Sequence, residues 1–304
     1  MNDISAIIVV KGNPAHLPET IESIQGLAAE IIIADIGIDP DLKTKLKTRK
    51  QVRIVKIKEN VPYVELIRER LKEHARHAYI LVLDPDELVP APLAELLQTS
   101  HASYDYFSIP RRNIIMGRWM RHSRWWPDYQ VRFFRKESVR WPTEIHQQPQ
   151  TSGKGYTVEA REDLAIVHYN YDSVDEYLAK AVRYARSEAG ELIQSGSQCN
   201  LKTTVRRSLS EFISRFFADE GYKDGMHGFA MAFMQMVYYF LVYFYYWEMK
   251  GYPTVPAAEM TKDIHEYFRA GLYESNHWAV KKRTSGGWRG AVLKLQNLFI
   301  NMTK

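Results

Sequence analysis

Tyr79-Ile80-Leu81-Val82-Leu83-Asp84-Pro85-Asp86-Glu87 is a short apolar run that ends abruptly in three acids. Residues 79–83 are bulky and partly β-branched, so they predict a buried central strand whose exposed carboxyl end is marked by Asp84, Asp86 and Glu87. Open α/β sheets bind their ligands at such strand ends. Two carboxylates spaced by one residue on a turn can reach the same side of it, and hard oxygen ligands of that kind suit a divalent cation carrying a diphosphate. The tetrapeptide is equally ordinary as a turn leading into a helix, because Asp and Pro favour both. The flanking sequence has to decide between these readings.

Upstream, residues 63–77 carry Val64, Ile67, Leu71 and Ala75 at helical spacing and lead into that strand. Further back, Ile4 to Val10, Glu30 to Gly37 and Val52 to Ile57 read as strands. Between them, Leu17, Ile21, Ile24 and Leu27 fit an amphipathic helix of about 10 residues, and Asp41 to Arg49 a short basic one. Strand alternating with helix in this way predicts an α/β fold with a mostly parallel sheet and helices on both faces. Asp35 then ends a second central strand, where a carboxylate can hold a ribose or base edge. No Gly-x-Gly-x-x-Gly or Walker loop follows any of these strands, so the phosphate-cradling folds built on such loops are not supported.

Downstream, Tyr104 to Pro110 predicts a strand, followed by a segment crowded with Arg118, Trp119, Arg121, His122, Arg124, Trp125 and Trp126. Three readings fit this composition: nucleic-acid contact by phosphate pairing and base stacking, sugar binding on Trp faces, and Trp packing covered by Arg stems. Residues 127–135 form a strand of alternating character. His146 follows in Ile145-His146-Gln147, and His168 closes the apolar run that begins at Leu164. From Ser173 to Ile193 the spacing of Tyr177, Leu178, Ala181, Tyr184, Ala185, Ala189 and Leu192 predicts a long amphipathic helix.

With 304 residues, 45% hydrophobic and 25% charged, the chain can bury a substantial core, and its net charge of +5 favours an acidic or phosphorylated partner. The lone Cys199 excludes an intrachain disulfide and a Cys-based metal cluster, which points to a reducing, cytoplasmic compartment. Met1-Asn2-Asp3-Ile4 has no basic region leading into an apolar stretch, so no secretory signal is expected. Gly225 to Trp247 contains no Asp, Glu, Lys or Arg, and its 23 residues are long enough to cross a bilayer. Its five tyrosines, with His227 and Gln235, favour instead a helix lying in the membrane surface or packing in a homodimer. Arg206, Arg207, Arg215, Lys223, Lys250 and the basic tail suit an anionic inner membrane face.

Taken together these residues resemble a family 2 glycosyltransferase with the GT-A fold, and within it the bacterial lipopolysaccharide-core β-1,4-glucosyltransferase group. Glu30 to Asp39 is similar to that group's "DEIVVVDSGSTD", Leu83 to Glu87 to its "LDADE", Pro127 to Arg135 to its "PDYQLRLFR", and His168-Tyr169 with Lys180 to its "HY...K...Y". The resemblance implies residues 1–172 as a nucleotide-sugar transferase domain and 173–304 as a helical region that associates with membrane or dimerises. It implies a UDP-sugar donor, Mg²⁺ or Mn²⁺, inversion at the anomeric carbon, and a glycolipid or oligosaccharide acceptor. Asp35, Asp84, Arg68 and Arg132 would hold the donor; Asp86, Asp84 and His168 the metal. Asp128 would be the catalytic base, with Glu87 and Glu144 as rivals. The sequence departs from the group in Lys11-Gly12-Asn13-Pro14 for "TKNE", Arg68-Glu69 for "RN", and Ile145-His146-Gln147 for "VHE". The last change exchanges a carboxylate for an amide, so a catalytically inactive module that binds a nucleotide sugar or nucleic acid is the alternative; for the enzyme, nucleic acid is not an expected partner.

Overall fold

The computed structural model describes residues 3–58, 65–141, 149–282 and 284–302. Its strands are β1 (Ile4–Gly12), β2 (Glu30–Ile38), β3 (Val52–Lys56), β4 (Tyr79–Leu83), β5 (Glu87–Leu88), β6 (Tyr106–Ile115), β7 (Arg118–Trp119), β8 (Asp128–Arg135), β9 (Val139–Arg140), β10 (Gln150–Thr151), β11 (Gly155–Thr157) and β12 (Ile166–Tyr171). The helices are α1 (Leu17–Ser23), α2 (Pro40–Lys47), α3 (Glu65–Leu71), α4 (Ala91–Ser100), α5 (Val174–Gln194), α6 (Leu201–Ile213), α7 (Gly225–Met249), α8 (Ala257–Lys281) and α9 (Gly287–Met302). They form two compact units, one from residues up to 114 with 126–170, the other from 115–125 with 171–304.

The first unit is built on a sheet of order β3-β2-β1-β4-β8-β6-β12-β5. Strands β3, β2, β1 and β4 are mutually parallel, whereas β8 runs antiparallel to both β4 and β6. The sheet is therefore mixed: its parallel half is β3, β2, β1 and β4, and its other half comes from the sequence after residue 100 together with the short β5, which pairs antiparallel with β12. Side chains alternate across the pleat, so one strand serves two cores. Ile4, Ala6, Ile8 and Val10 pack with Leu17 and Ile21 of α1, Leu42 and Leu46 of α2, and Leu93 and Leu97 of α4. Ile7 and Val9 point the other way, with Ile67 and Leu71 of α3. This two-sided burial accounts for the continuous apolar runs of β1, β2 and β4.

One strand is longer than the composition predicts. β6 runs through Arg111, Arg112 and Asn113 to Ile115: its ladder to β8 reaches Arg111, opposite Asp128, and β6 is also paired with β12 and β7. Backbone pairing thus overrides the low strand propensity of a polar triplet.

The second unit is helical. Ile115, Met120, Tyr177, Ala181 and Met231 form its small core beside α5 and α7. The Arg and Trp segment is pinned to it by Asp224, which accepts from the Arg121 and His122 amides at 3.1 and 2.8 Å. Arg121 lies over Trp119 at 4.0 Å, and Arg124 pairs with Asp219 at 2.8 Å. Those contacts fit the packing reading of the cluster. Gly271 lets α8 approach α6, since a Cβ there would stand 2.1 Å from Leu209 Cδ2. Among the described residues one helix, Gly221–Met249, is long and apolar enough to cross a membrane by length and composition. It packs along α5 and α6, with Gly228, Met231, Ala232, Val242 and Tyr243 buried.

Candidate active site

The acids that end β4 sit in a closed turn. Glu87 donates its amide to the Asp84 carbonyl at 3.1 Å, and Glu87 Oε2 accepts from the Asp84 amide at 2.9 Å. Two further bonds fix the turn: Thr20 Oγ1 donates to the Pro85 carbonyl at 3.0 Å, and the Tyr169 amide to the Asp86 carbonyl at 3.0 Å. His168 stands opposite Glu87 in the β12/β5 ladder. The turn is thus held from α1 on one side and β12 on the other before any side chain in it is considered.

Guanidinia then sort the carboxylates. Arg132 is buried between Asp84 and Glu87, with Nη2 2.6 Å from Glu87 Oε1 and also bonded to Asp84 Oδ2. Arg68 Nη2 meets Asp84 Oδ1 at 3.1 Å. Arg111 joins Glu87, at 3.0 Å, to Asp128, whose Oδ2 it grips through Nε at 2.9 Å and Nη2 at 2.6 Å. Burial pushes Asp84 up, but the charges of Arg132 and Arg68 outweigh it and hold the carboxyl well below the usual range. For Asp128 burial is likewise overcome, by the Arg111 charge and the Asn113 and Gln130 hydrogen bonds.

Next to this charge cage lies a neutral relay. Asn113 Nδ2 donates to Asp128 Oδ2 at 3.1 Å, which turns its Oδ1 toward His168 Nδ1 at 2.7 Å. Since Oδ1 can only accept, His168 carries its proton on Nδ1 and presents the Nε2 lone pair, 3.9 Å from Asp86 Oδ1. Burial lowers the His168 pKa to about 4, with Glu87 opposing and Arg111 assisting, so the ring is neutral at pH ~7.

These contacts give each expected residue its setting. Glu87 is fully buried, with its oxygens bonded to the Asp84 amide, Arg111 and Arg132, whereas Asp128 keeps about a quarter of its side chain exposed. The Arg132 guanidinium is buried and held by the two acids it bridges. Asp84 has each oxygen on a guanidinium and is not poised as a metal ligand. Asp35 Oδ1 accepts from the Gly37 and Ile38 amides at 2.8 and 2.9 Å, and Oδ2 from Lys43 at 2.7 Å, so it ties the last residues of β2 to α2. Those bonds outweigh burial and depress its pKa. Glu144, His146 and Gln147 lie outside the described residues. The structure brings Asp84, Asp86, Glu87, Asp128, Arg68, Arg132 and His168 together, whereas Asp35 lies within β2, three residues before its end and two strands over from β4. Arg111 and Asn113 complete the network and were not foreseen. Their signal was the alternation Arg-x-Asn on one strand and Asp-x-Gln-x-Arg on its neighbour, with Arg111 opposite Asp128.

Among the described residues no group of three or more His, Cys, Asp or Glu side chains is arranged to hold a metal ion. Asp86 and His168 form a two-donor pair. Donors about 2.1 Å from one cation lie at most about 4.2 Å apart, so an ion fits between Nε2 and Oδ1.

Comparison with known proteins addresses the same region. The chain is 22% identical over 246 residues to an uncharacterized glycosyltransferase of Rickettsia typhi, covering 75% of this chain and 81% of that protein. A second such protein, from Rickettsia bellii, is 24% identical over 241 residues, covering 74% and 80%. Among solved structures, S. aureus TarS 1-349 aligns with 90% of this chain and 80% of its own, at 12% identity and a TM-score of 0.40. The family described as Glycosyl transferase family 2 matches residues 5–163, a span that begins in β1 and contains the acidic turn, the Arg111 and Asn113 strand and Asp128. With more than half of its length inside that match, this chain belongs to glycosyl transferase family 2.

Proposed function

We propose that the protein transfers a sugar from a nucleotide-sugar donor, a UDP-sugar in the reading favoured here, to a lipid-linked or lipopolysaccharide-core type acceptor, with inversion at the anomeric carbon. The observation that carries this reading is the pairing of Asp86 Oδ1 with the unprotonated Nε2 of a neutral His168 at the end of the central strand. That pair would hold Mg²⁺ or Mn²⁺, and the donor diphosphate would supply further oxygens. Bound there, the ion would neutralise the charge that gathers on the departing nucleoside diphosphate. Arg68, partly exposed beside Asp84, adds positive charge at the same strand end. Asp128 is ionised at neutral pH and fixed by Arg111, Asn113 and Gln130. We assign it to accept the acceptor hydroxyl's proton as the new glycosidic bond forms, with the donor's C1–O bond breaking on the opposite face.

The test is donor hydrolysis and transfer measured with and without Mn²⁺ for the intact chain, Asp86→Ala and Asp128→Asn. The expected result is metal-dependent turnover that Asp86→Ala abolishes and Asp128→Asn reduces by about 10²-fold or more. Binding of nucleotide sugar with no turnover under any condition would favour an inactive binding module. That second reading draws on the amide of Gln147 where the resembled group has a carboxylate.

A further inference from the structure

The last helix wears its apolar side outward. Asn297 of α9 faces α8, accepting at 3.2 Å from Asn276 Nδ2 and donating at 3.0 Å to the Tyr273 carbonyl, and Gly290 is buried on the same side. At about 100° per residue, Trp288, Val292, Leu295 and Phe299 share an arc of about 60° on the opposite side. They are 74%, 39%, 55% and 68% exposed. Leu293 and Ile300 are half-buried near the inward side, yet the larger Trp, Leu and Phe side chains turn away from the protein, so a contiguous apolar stripe is left on the outer face.

The charge around this stripe narrows what covers it. Residues 275–304 contain no Asp or Glu and carry Lys281, Lys282, Arg283, Arg289, Lys294 and Lys304. Arg289 and Lys294 flank the apolar arc on either side by helical geometry. An open groove of about 460 Å³ between α8 and α9 is lined by Asn276, His277, Lys281, Lys294, Asn297 and Asn301, two ammonium groups with amide donors. A second copy of the same face would set these unbalanced positive charges against each other. A surface of phosphate headgroups over acyl chains matches both the charge and the apolar stripe. The 16 residues of α9 are too few to span a bilayer, which takes about 20.

We propose that α9 is an interfacial membrane helix: Trp288, Val292, Leu295 and Phe299 enter the headgroup and acyl boundary of an anionic bilayer, and Lys281 and Lys294 receive lipid phosphate. This deepens the lipid-acceptor part of the proposed function, yet it stands on α9 alone. Vesicle binding and donor turnover can therefore succeed or fail separately.

The experiment is co-sedimentation of the full chain with vesicles of phosphatidylcholine alone, or of equal parts phosphatidylcholine and phosphatidylglycerol, with gel filtration in parallel. The unmodified chain should pellet with the mixed vesicles and only weakly with the neutral ones. Leu295→Ser with Phe299→Ser should weaken binding to mixed vesicles by about 30-fold or more, and Lys281→Glu with Lys294→Glu should remove the preference for the anionic lipid. All four substituted side chains lie on the surface, so an unchanged thermal midpoint is expected and checks that each variant folds. The proposal is overturned if the unmodified chain stays in the supernatant, or if the Ser variant binds mixed vesicles unchanged. It is equally overturned if gel filtration shows a dimer that this variant makes monomeric, which would assign the stripe to a second copy.

Discussion

Acidification tests whether His168 sits neutral inside the acid cage. Its ordinary value of 6.5 falls to about 4 through burial, so between those limits the unfolded chain binds a proton that the folded chain refuses. The stability associated with the neutral ring is present above the unfolded value and is lost as pH falls through this window toward the folded one. Across the whole window the difference is worth about 3 kcal/mol, of which about 2 kcal/mol is gone by pH ~5. The assay is urea unfolding in the presence of a chelator at pH ~7 and ~5, comparing the unmodified chain with His168→Gln. A glutamine amide retains a donor for Asn113 Oδ1 and does not titrate, while the chain's other histidines and its surface acids cancel in the comparison. The unmodified chain should lose about 2 kcal/mol more than the variant over that interval. Equal losses, within about 0.5 kcal/mol, would refute the neutral buried ring and the Nδ1–H arrangement built upon it.

Other outcomes follow from the same contacts. Arg132→Met leaves Asp84 and Glu87 without the guanidinium they share, and a loss of about 3 kcal/mol or more is expected in the urea midpoint at neutral pH. Asn113→Leu frees the His168 tautomer; titration of Mn²⁺ binding, without donor, should show affinity weakened by about 10 to 100-fold, and unchanged affinity would separate Asn113 from the ion. Asp35→Ala strips the end of β2 of one acceptor for two amides and Lys43, so a loss of about 2 kcal/mol is expected in thermal or urea unfolding. Below pH ~4 the folded chain should weaken further, because Asp35, Asp84 and Asp128 have depressed values and their stabilisation is lost as pH falls from the ordinary carboxylate range toward those values.

The sequence by itself determined the order of β1 to β4, the helices between them and the acidic stop at Asp84, because each is a local pattern of side-chain periodicity or turn chemistry. It also contained the family resemblance, carried by short segments in the right order. What it could not convey was which acids the guanidinia enclose. Arg132 lies 48 residues from Asp84 and Arg111 lies 24 from Glu87; only the antiparallel register of β6 against β8, a long-range ladder, sets those guanidinia on one face. The tertiary structure thereby buried Glu87 and Arg132 as an ion pair, gave His168 its tautomer through Asn113, and set Asp86 toward the lone pair of the ring. The same holds for α9: its apolar periodicity is legible, but which side meets α8 depends on Asn276, Asn297 and Gly290, and so the outward turn of Trp288 and Phe299 is a property of packing, not of pattern.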